Sequence, residues 1–267
     1  SLALVVPELA VPYFADLAGL VLRAARAHGW NVLIQQTLGT RDGERDALAG
    51  LGPHVVDGAV ISPEALRGAD FDAVAVPLVV LGEHPVDLPL DHVGIDNVEA
   101  ARTAVRHLLG LGRRRVAAIG AHPDRATAAQ RLRGYREALA EAGLPDGGVA
   151  TVERYHRRDG AAAMAALLDS STPPDAVFCF NDLLAAGALR AAADRGARVP
   201  ADVAVVGFDN DDEGAYGSPS LTTIAPDKAG IARAAVELLR ARVEGGDPPP
   251  RRVRTPFTLE IRESTVG

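Results

Sequence analysis

Residues 1–35, SLALVVPELAVPYFADLAGLVLRAARAHGWNVLIQ, spell out a strand, a helix and a second strand in the order a parallel sheet needs. Leu2 to Val6 is apolar throughout, the pattern of a strand covered on both faces. Tyr13 to His28 then sets Leu17, Leu20, Val21 and Ala24 on one side at helical spacing. Pro12 stands where a first helical turn tolerates a missing N–H, and Gly29 follows the last periodic residue. Asn31 to Gln35 returns to strand character, so the helix reads as a β-to-α crossover.

The alternation continues outward. Further strands are expected at Gly58 to Ile61, Leu78 to Leu81, His92 to Ile95, Arg115 to Ile119, Ala150 to Tyr155, Ala176 to Phe180, Val203 to Phe208 and Leu221 to Ile224. Helices are expected over Val98 to Leu111, Arg125 to Ala142, Asn181 to Arg195, and Asp227 to about Glu244. Five strands precede residue 97 and five follow it, a count that suits two doubly wound parallel α/β sheets better than one ten-stranded sheet. Two lobes with a ligand cleft follow. Ligands of such sheets bind beyond the carboxyl ends of the strands, so the loops after Val6, Leu81, Ile119, Tyr155, Phe180 and Phe208 are the places to search.

Composition narrows the partners. The 267 residues are 48% apolar and 24% charged with a formal charge of −7, a balance that offers no basic face for nucleic acid or anionic lipid. No run reaches the roughly 18 apolar residues of a membrane span, and the start lacks signal-peptide features, so a cytoplasmic protein is expected. The one cysteine, Cys179, lies in an apolar run and reads as a reduced core residue. Basic residues are arginines except Lys228, and Arg113-Arg114-Arg115 reads as a solvated turn.

Enzyme signatures fail: there is no Gly-x-Ser-x-Gly elbow, no phosphate loop, and no Gly-x-Gly-x-x-Gly after the first strand. Gly110-Leu111-Gly112 follows a helix and reads as its stop. The seven histidines lack metal-ligand spacing, and only His84, His122 and His156 stand just past strand ends, where a surface loop role suits them. The acidic run Asp209-Asn210-Asp211-Asp212-Glu213-Gly214 opens like a calcium loop but has Ser220 where the closing Glu belongs. No metal and no cofactor is expected.

Of eleven aromatic residues, Tyr13, Phe14, Tyr155, Phe180 and Phe208 fall at or beyond strand ends. Ring faces with a few polar groups suit a small polyol or a flat heterocycle. Arg131, Asn181 and Asp209 add a planar donor fork, an amide and an acceptor that can orient hydroxyls. Each also has a plainer role: Phe180 and Phe208 as strand ends, Tyr13 and Phe14 as a helix staple, Asn181 and Asp209 as caps.

The chain resembles the effector-binding domain of lactose/galactose-repressor-type (LacI/GalR) bacterial transcription regulators, of periplasmic-binding-protein-like type I fold. The segments that carry the resemblance are Leu4-Val5-Val6-Pro7, Val11-Pro12-Tyr13-Phe14, Val56-Asp57-Gly58, Ile95-Asp96-Asn97 and Leu111-Gly112-Arg113-Arg114-Arg115-Val116. They continue with Arg131-Leu132-Arg133-Gly134-Tyr135, Phe180-Asn181-Asp182, Val199-Pro200-Ala201-Asp202-Val203, Val205-Val206-Gly207-Phe208-Asp209 and Ser220-Leu221-Thr222-Thr223-Ile224. They cover essentially the whole chain in order.

The resemblance implies two lobes joined by three crossings near Asn97, Ala225 and Thr255, with residues 1–97 plus 226–254 in one lobe and 98–225 plus 255–267 in the other. It places effector contacts on Tyr13, Phe14, Arg131, Tyr155, Asn181 and Asp209. Arg131 and Asp209 would hold hydroxyls or a carboxylate, and Tyr155 would stack. Arg125 and Thr127 stand where purine-binding relatives touch ligand. Gly82 replaces an Asp frequent in sugar-binding relatives, with Glu83 or His84 as substitutes, and Pro226 replaces a frequent Gln.

The function so implied is a homodimeric, allosteric repressor-type sensor. A sugar or sugar derivative, with a purine or nucleoside as second choice, binds between the lobes and biases a hinge. Operator DNA would be read only through an N-terminal helix-turn-helix of about 60 residues preceding Leu2. A coupling of about 1 to 3 kcal/mol would shift operator affinity 5- to 150-fold, in either direction. The alternatives are a periplasmic sugar-binding protein of an uptake system and, more remotely, an enzyme using Asp209 with His122 or His156.

Overall fold

Leu2–Val6 forms strand β1, buried at all five positions, and hydrogen-bonds in parallel to strands on both sides. Its neighbours are β2 (Val32–Gln36) and β3 (Gly58–Ile61). Beyond β3 lie β4 (Leu78–Leu81), β5 (Asp91–Gly94) and β11 (Arg252–Arg254), giving a parallel six-stranded sheet in the order β11-β5-β4-β3-β1-β2. The computed structural model describes residues 1–72, 74–82, 89–245 and 249–266 and divides the chain into two units. Unit 1 is Ser1–Ile95 with Asp227–Pro256, and unit 2 is Asp96–Pro226 with Phe257–Gly267.

Strand alternation splits the unit 1 core in two. Ala3 and Val5 of β1 join Ala59, Ile61, Leu78 and Val80 against Ala47 and Leu48 of α2 (Arg41–Ala49). The opposite face carries α1 (Pro12–Arg26) and α8 (Lys228–Val243), which pack on each other. The approach of α8 is close enough that a Cβ at Gly58 would stand 2.7 Å from Leu239 Cδ1.

Unit 2 repeats the plan with β6 (Val116–Ala121), β7 (Val149–Thr151), β8 (Ala176–Cys179), β9 (Ala204–Phe208), β10 (Thr222–Pro226) and β12 (Phe257–Glu260). The order is β12-β10-β9-β8-β6-β7, and among the described residues only the β10–β12 pair is antiparallel. Its helices are α3 (Asn97–Gly110), α4 (Ala126–Glu141), α5 (Arg157–Leu168), α6 (Asp182–Asp194) and the short α7 (Asp212–Ala215). α5 and α6 meet backbone to backbone: a Cβ at Gly160 would collide with the Leu184 carbonyl, and one at Gly187 with that of Arg157. Cys179 is wholly buried and its thiol is pushed up by burial, an inert core residue.

Three sequence expectations change. Each sheet has six strands instead of five, because β11 and β12 are short segments with arginines or exposed positions and no apolar run. Helix α2 has only three buried residues and begins at an N-cap, Thr40, whose hydroxyl accepts the Gly43 N–H at 3.1 Å. The segment read as a strand from Ala150 to Tyr155 ends at Thr151, so Tyr155 belongs to the loop before α5. The arginine triplet lies outside helix and strand with Arg114 and Arg115 exposed, as expected of a solvated turn; Arg113 is half-buried and donates to the Pro200 carbonyl at 2.5 Å, and the Arg114 and Arg115 amides bond to Asp175.

Candidate functional site

At the carboxyl end of the unit 2 sheet, Arg131 projects from α4 and is only 8% exposed. Its guanidinium is fixed on several sides. Nε donates to Asn97 Oδ1 at 2.9 Å, Nη1 donates to the Phe180 carbonyl, and Cζ lies 3.5 Å from the Phe208 ring centroid. Nη2 stands 4.0 Å from Asp209 Oδ1, an ion pair long enough for a ligand hydroxyl to share both charges. A guanidinium on an aromatic face away from water is stabilised by about 2 kcal/mol, so Arg131 is held in place before any ligand arrives.

Asp209, 7% exposed, follows β9 in an unusual backbone state. Its φ is 112° and that of Asn210 is 54°, consecutive positive values at residues with side chains. The turn is tied by the Asp209 amide to Ile224 O (2.8 Å) and the Asp211 amide to Asp182 Oδ2 (2.8 Å). Asp182 Oδ1 also accepts from the Thr223 hydroxyl at 2.7 Å. Burial pushes the Asp182 carboxyl up to about 7, against the pull of its hydrogen bonds from the Asp211 amide and Thr223; the nearby Asp211 charge pushes in the same direction as burial.

Tyr155 donates its hydroxyl to Gly120 O at 2.6 Å, and the Arg125 guanidinium lies over its ring at 4.9 Å. The ring therefore already carries a cation on one face. Asn181 is nearly buried and serves as the N-cap of α6: Oδ1 accepts the Leu184 amide at 2.9 Å while Nδ2 donates to Tyr155 O at 3.2 Å. Its plainer role is thus present, and it also seats Tyr155. Thr127 is half-buried in the first turn of α4. His122 accepts the Asp124 amide at Nδ1, and burial holds its pKa below the ordinary imidazole value.

In unit 1, Tyr13 and Phe14 open α1 with rings edge to face, centroids 5.3 Å apart, both half-buried. Lys228 sits 5.9 Å from the Tyr13 ring centroid and 2.6 Å from Asp16. Glu44 of α2, fully buried, accepts three backbone N–H groups of the loop after β3: Glu64 at 2.6 Å, Ala65 at 3.0 Å and Leu66 at 2.9 Å. Gly82 has φ +74°, a backbone state an aspartate would occupy only with strain. Glu83 and His84 lie outside the described residues. Sequence reading left Asn97, Asp182, Thr223 and Glu44 without site roles; Asn97, Asp182 and Thr223 stood inside quoted motifs, whereas Glu44 carried no local signal.

Among the described residues, no group of three or more His, Cys, Asp or Glu is arranged to hold a metal ion, and no helix is long and apolar enough to cross a membrane. Residues 105–265 match the family model described as a periplasmic binding protein-like domain. The HTH-type transcriptional repressor CytR of Escherichia coli (strain K12) is 32% identical over 256 residues, 92% of this chain and 73% of that protein. A putative LacI-family transcriptional regulator from Sanguibacter keddieii superposes with a TM-score of 0.90 at 46% identity, covering 100% of this chain and 99% of that one. The transcriptional regulator CelR, solved in complex with cellobiose, gives a TM-score of 0.90 at 31% identity over 98% of this chain and 84% of that one. The fold and its matches define a periplasmic binding protein-like domain. Within that class the chain belongs to the LacI family of transcriptional regulators, as an effector-binding domain.

Proposed function

We propose that this domain binds a sugar or sugar derivative through Arg131, Asp209, Arg125, Thr127, Tyr155 and Asn181 of unit 2. The observation that carries this reading is the buried Arg131–Asp209 pair, 4.0 Å apart at the carboxyl end of the sheet. A fork of donors beside a carboxylate recognises vicinal hydroxyls in one orientation, and neither group needs to move to do so. The cellobiose complex of the CelR relative supports a saccharide over a nucleoside as the ligand class. The domain acts as a cytoplasmic homodimer without catalysing a reaction, and ligand occupancy biases operator binding by an N-terminal helix-turn-helix of the full-length regulator.

The test is calorimetry against cellobiose, ribose and adenosine, with Asp209→Asn as the variant, since asparagine tolerates positive φ. Saccharide binding that weakens at least tenfold in Asp209→Asn, with the melting temperature within a few degrees of the parent, supports the reading. Binding of adenosine alone, or equal saccharide affinity in parent and variant, overturns it.

A further inference from the structure

The conformation of Asp209 has to be held by something. A residue with a side chain at φ 112° followed by another at φ 54° is unfavourable on its own and persists only where the surroundings over-determine it. The ordinary ladder supplies part of the hold, through the Asp209 amide on Ile224 O at 2.8 Å. The Asp211 amide on Asp182 Oδ2 at 2.8 Å and the Asn210 amide on Thr223 Oγ1 at 3.4 Å add to it, and a side-chain tie comes from Arg262, in the segment after β12, far from Asp209 in sequence. Its Nη2 donates to Asn210 Oδ1 at 2.7 Å, its Nη1 donates to Leu221 O at 2.8 Å, and its own amide donates to Thr222 Oγ1 at 2.8 Å. The guanidinium therefore spans the start of β10 and the left-handed residue of the turn. This contact restrains the Asn210 side chain and, together with the backbone ties, opposes relaxation of the Asp209–Asn210 backbone to negative φ.

We propose that Arg262 is a positioning residue that, through the Asn210 side chain, holds the Asp209–Asn210 turn left-handed and thereby sets where the Asp209 carboxylate points. Arg262 touches no ligand in this scheme. The purpose of the clamp rests on the effector reading above; its existence does not.

Two substitutions at the same position separate the clamp from general stability. Asn210→Ala removes the acceptor and penalises positive φ, whereas Asn210→Gly removes the same acceptor but accepts positive φ freely. Amide hydrogen exchange read by NMR at Asp209 and Asp211, alongside cellobiose calorimetry, distinguishes them. The expected result is exchange at both amides at least tenfold faster in Asn210→Ala, with a parallel loss of cellobiose affinity. Asn210→Gly stays within about threefold of the parent in both readouts. Adding Asn210→Gly to Arg262→Ala restores the protection that Arg262→Ala loses, which a merely structural role for Arg262 would not allow.

Equal effects of Ala and Gly at 210, or unchanged exchange in Asn210→Ala, overturn the proposal whatever cellobiose does. A parent chain that binds no saccharide overturns the effector reading instead, while the exchange comparison still decides the clamp. Should Arg262→Ala fail to fold, the two Asn210 variants decide the matter by themselves.

Discussion

The carboxyl-end loops of the two sheets are fastened by opposite means. In unit 2, buried polar side chains hold one another and the backbone: Arg131 on Asn97 and beside Asp209, Asp182 on Thr223, and Asn181 on the Tyr155 carbonyl. In unit 1, a single buried carboxylate, Glu44, grips three consecutive amides, and the candidate rings Tyr13 and Phe14 are left half-buried. The contrast teaches that directional groups were given a rigid setting, where misplacement by an ångström is expensive, while ring faces were left adaptable.

The largest effect that would break this contrast is at the helix pair beneath the unit 2 loops. Gly187→Val sets a branched Cβ against the Arg157 carbonyl oxygen, far inside van der Waals distance, across the α5–α6 contact, and urea unfolding should show a loss of about 3 kcal/mol or more. Next comes Glu44→Ala, which leaves three amides of the unit 1 loop without their acceptor. A cost of about 2 to 4 kcal/mol is expected, and a cost below about 1 kcal/mol would mean that water replaces the carboxylate and that this loop is not fastened as described.

A pH test sharpens the unit 2 side. Asp182 has an ordinary value of 3.8 and is pushed up to about 7 in the fold, chiefly by burial, so the folded chain holds its proton more tightly than the unfolded chain. The stabilisation is complete below about pH 4 and is lost as pH rises through 7, a change on the order of a few kcal/mol. Asp182→Asn should flatten that slope in urea titrations between pH 4 and 8; an unchanged slope would assign it to other carboxylates. The smallest effect belongs to Thr127. Thr127→Ala is expected to weaken cellobiose binding about fivefold while stability moves by less than about 1 kcal/mol, the separation a half-buried contact residue should show.

How much could be read beforehand follows the same division. Wherever burial wrote an uninterrupted apolar run, as in β1, β3, β4 and β9, strand position was legible almost to the residue. Elements lacking such a run, α2, α5, β11 and β12, were not, because tertiary packing and caps hold them and hydrophobic periodicity does not. In the site, Asp209 was legible from its place after a strand and Arg131 as a planar donor fork, and their 4.0 Å separation fits that reading. The Asn181 cap was legible from its place before a helix. Arg262 and Asp182 were not, since their roles depend on partners 52 and 29 residues away in sequence. No window of local pattern spans such distances.

Lys228 has one more consequence. As the sole lysine of the chain, it offers a lysine-specific endoproteinase a single scissile bond, Lys228–Ala229, in the first turn of α8. That turn is secured by Asp227, whose side chain accepts the Gly230 amide at 2.8 Å, and by the Lys228–Asp16 pair. Cleavage there requires the turn to unwind, so the rate at which the intact chain disappears is a clock for local opening at one known place.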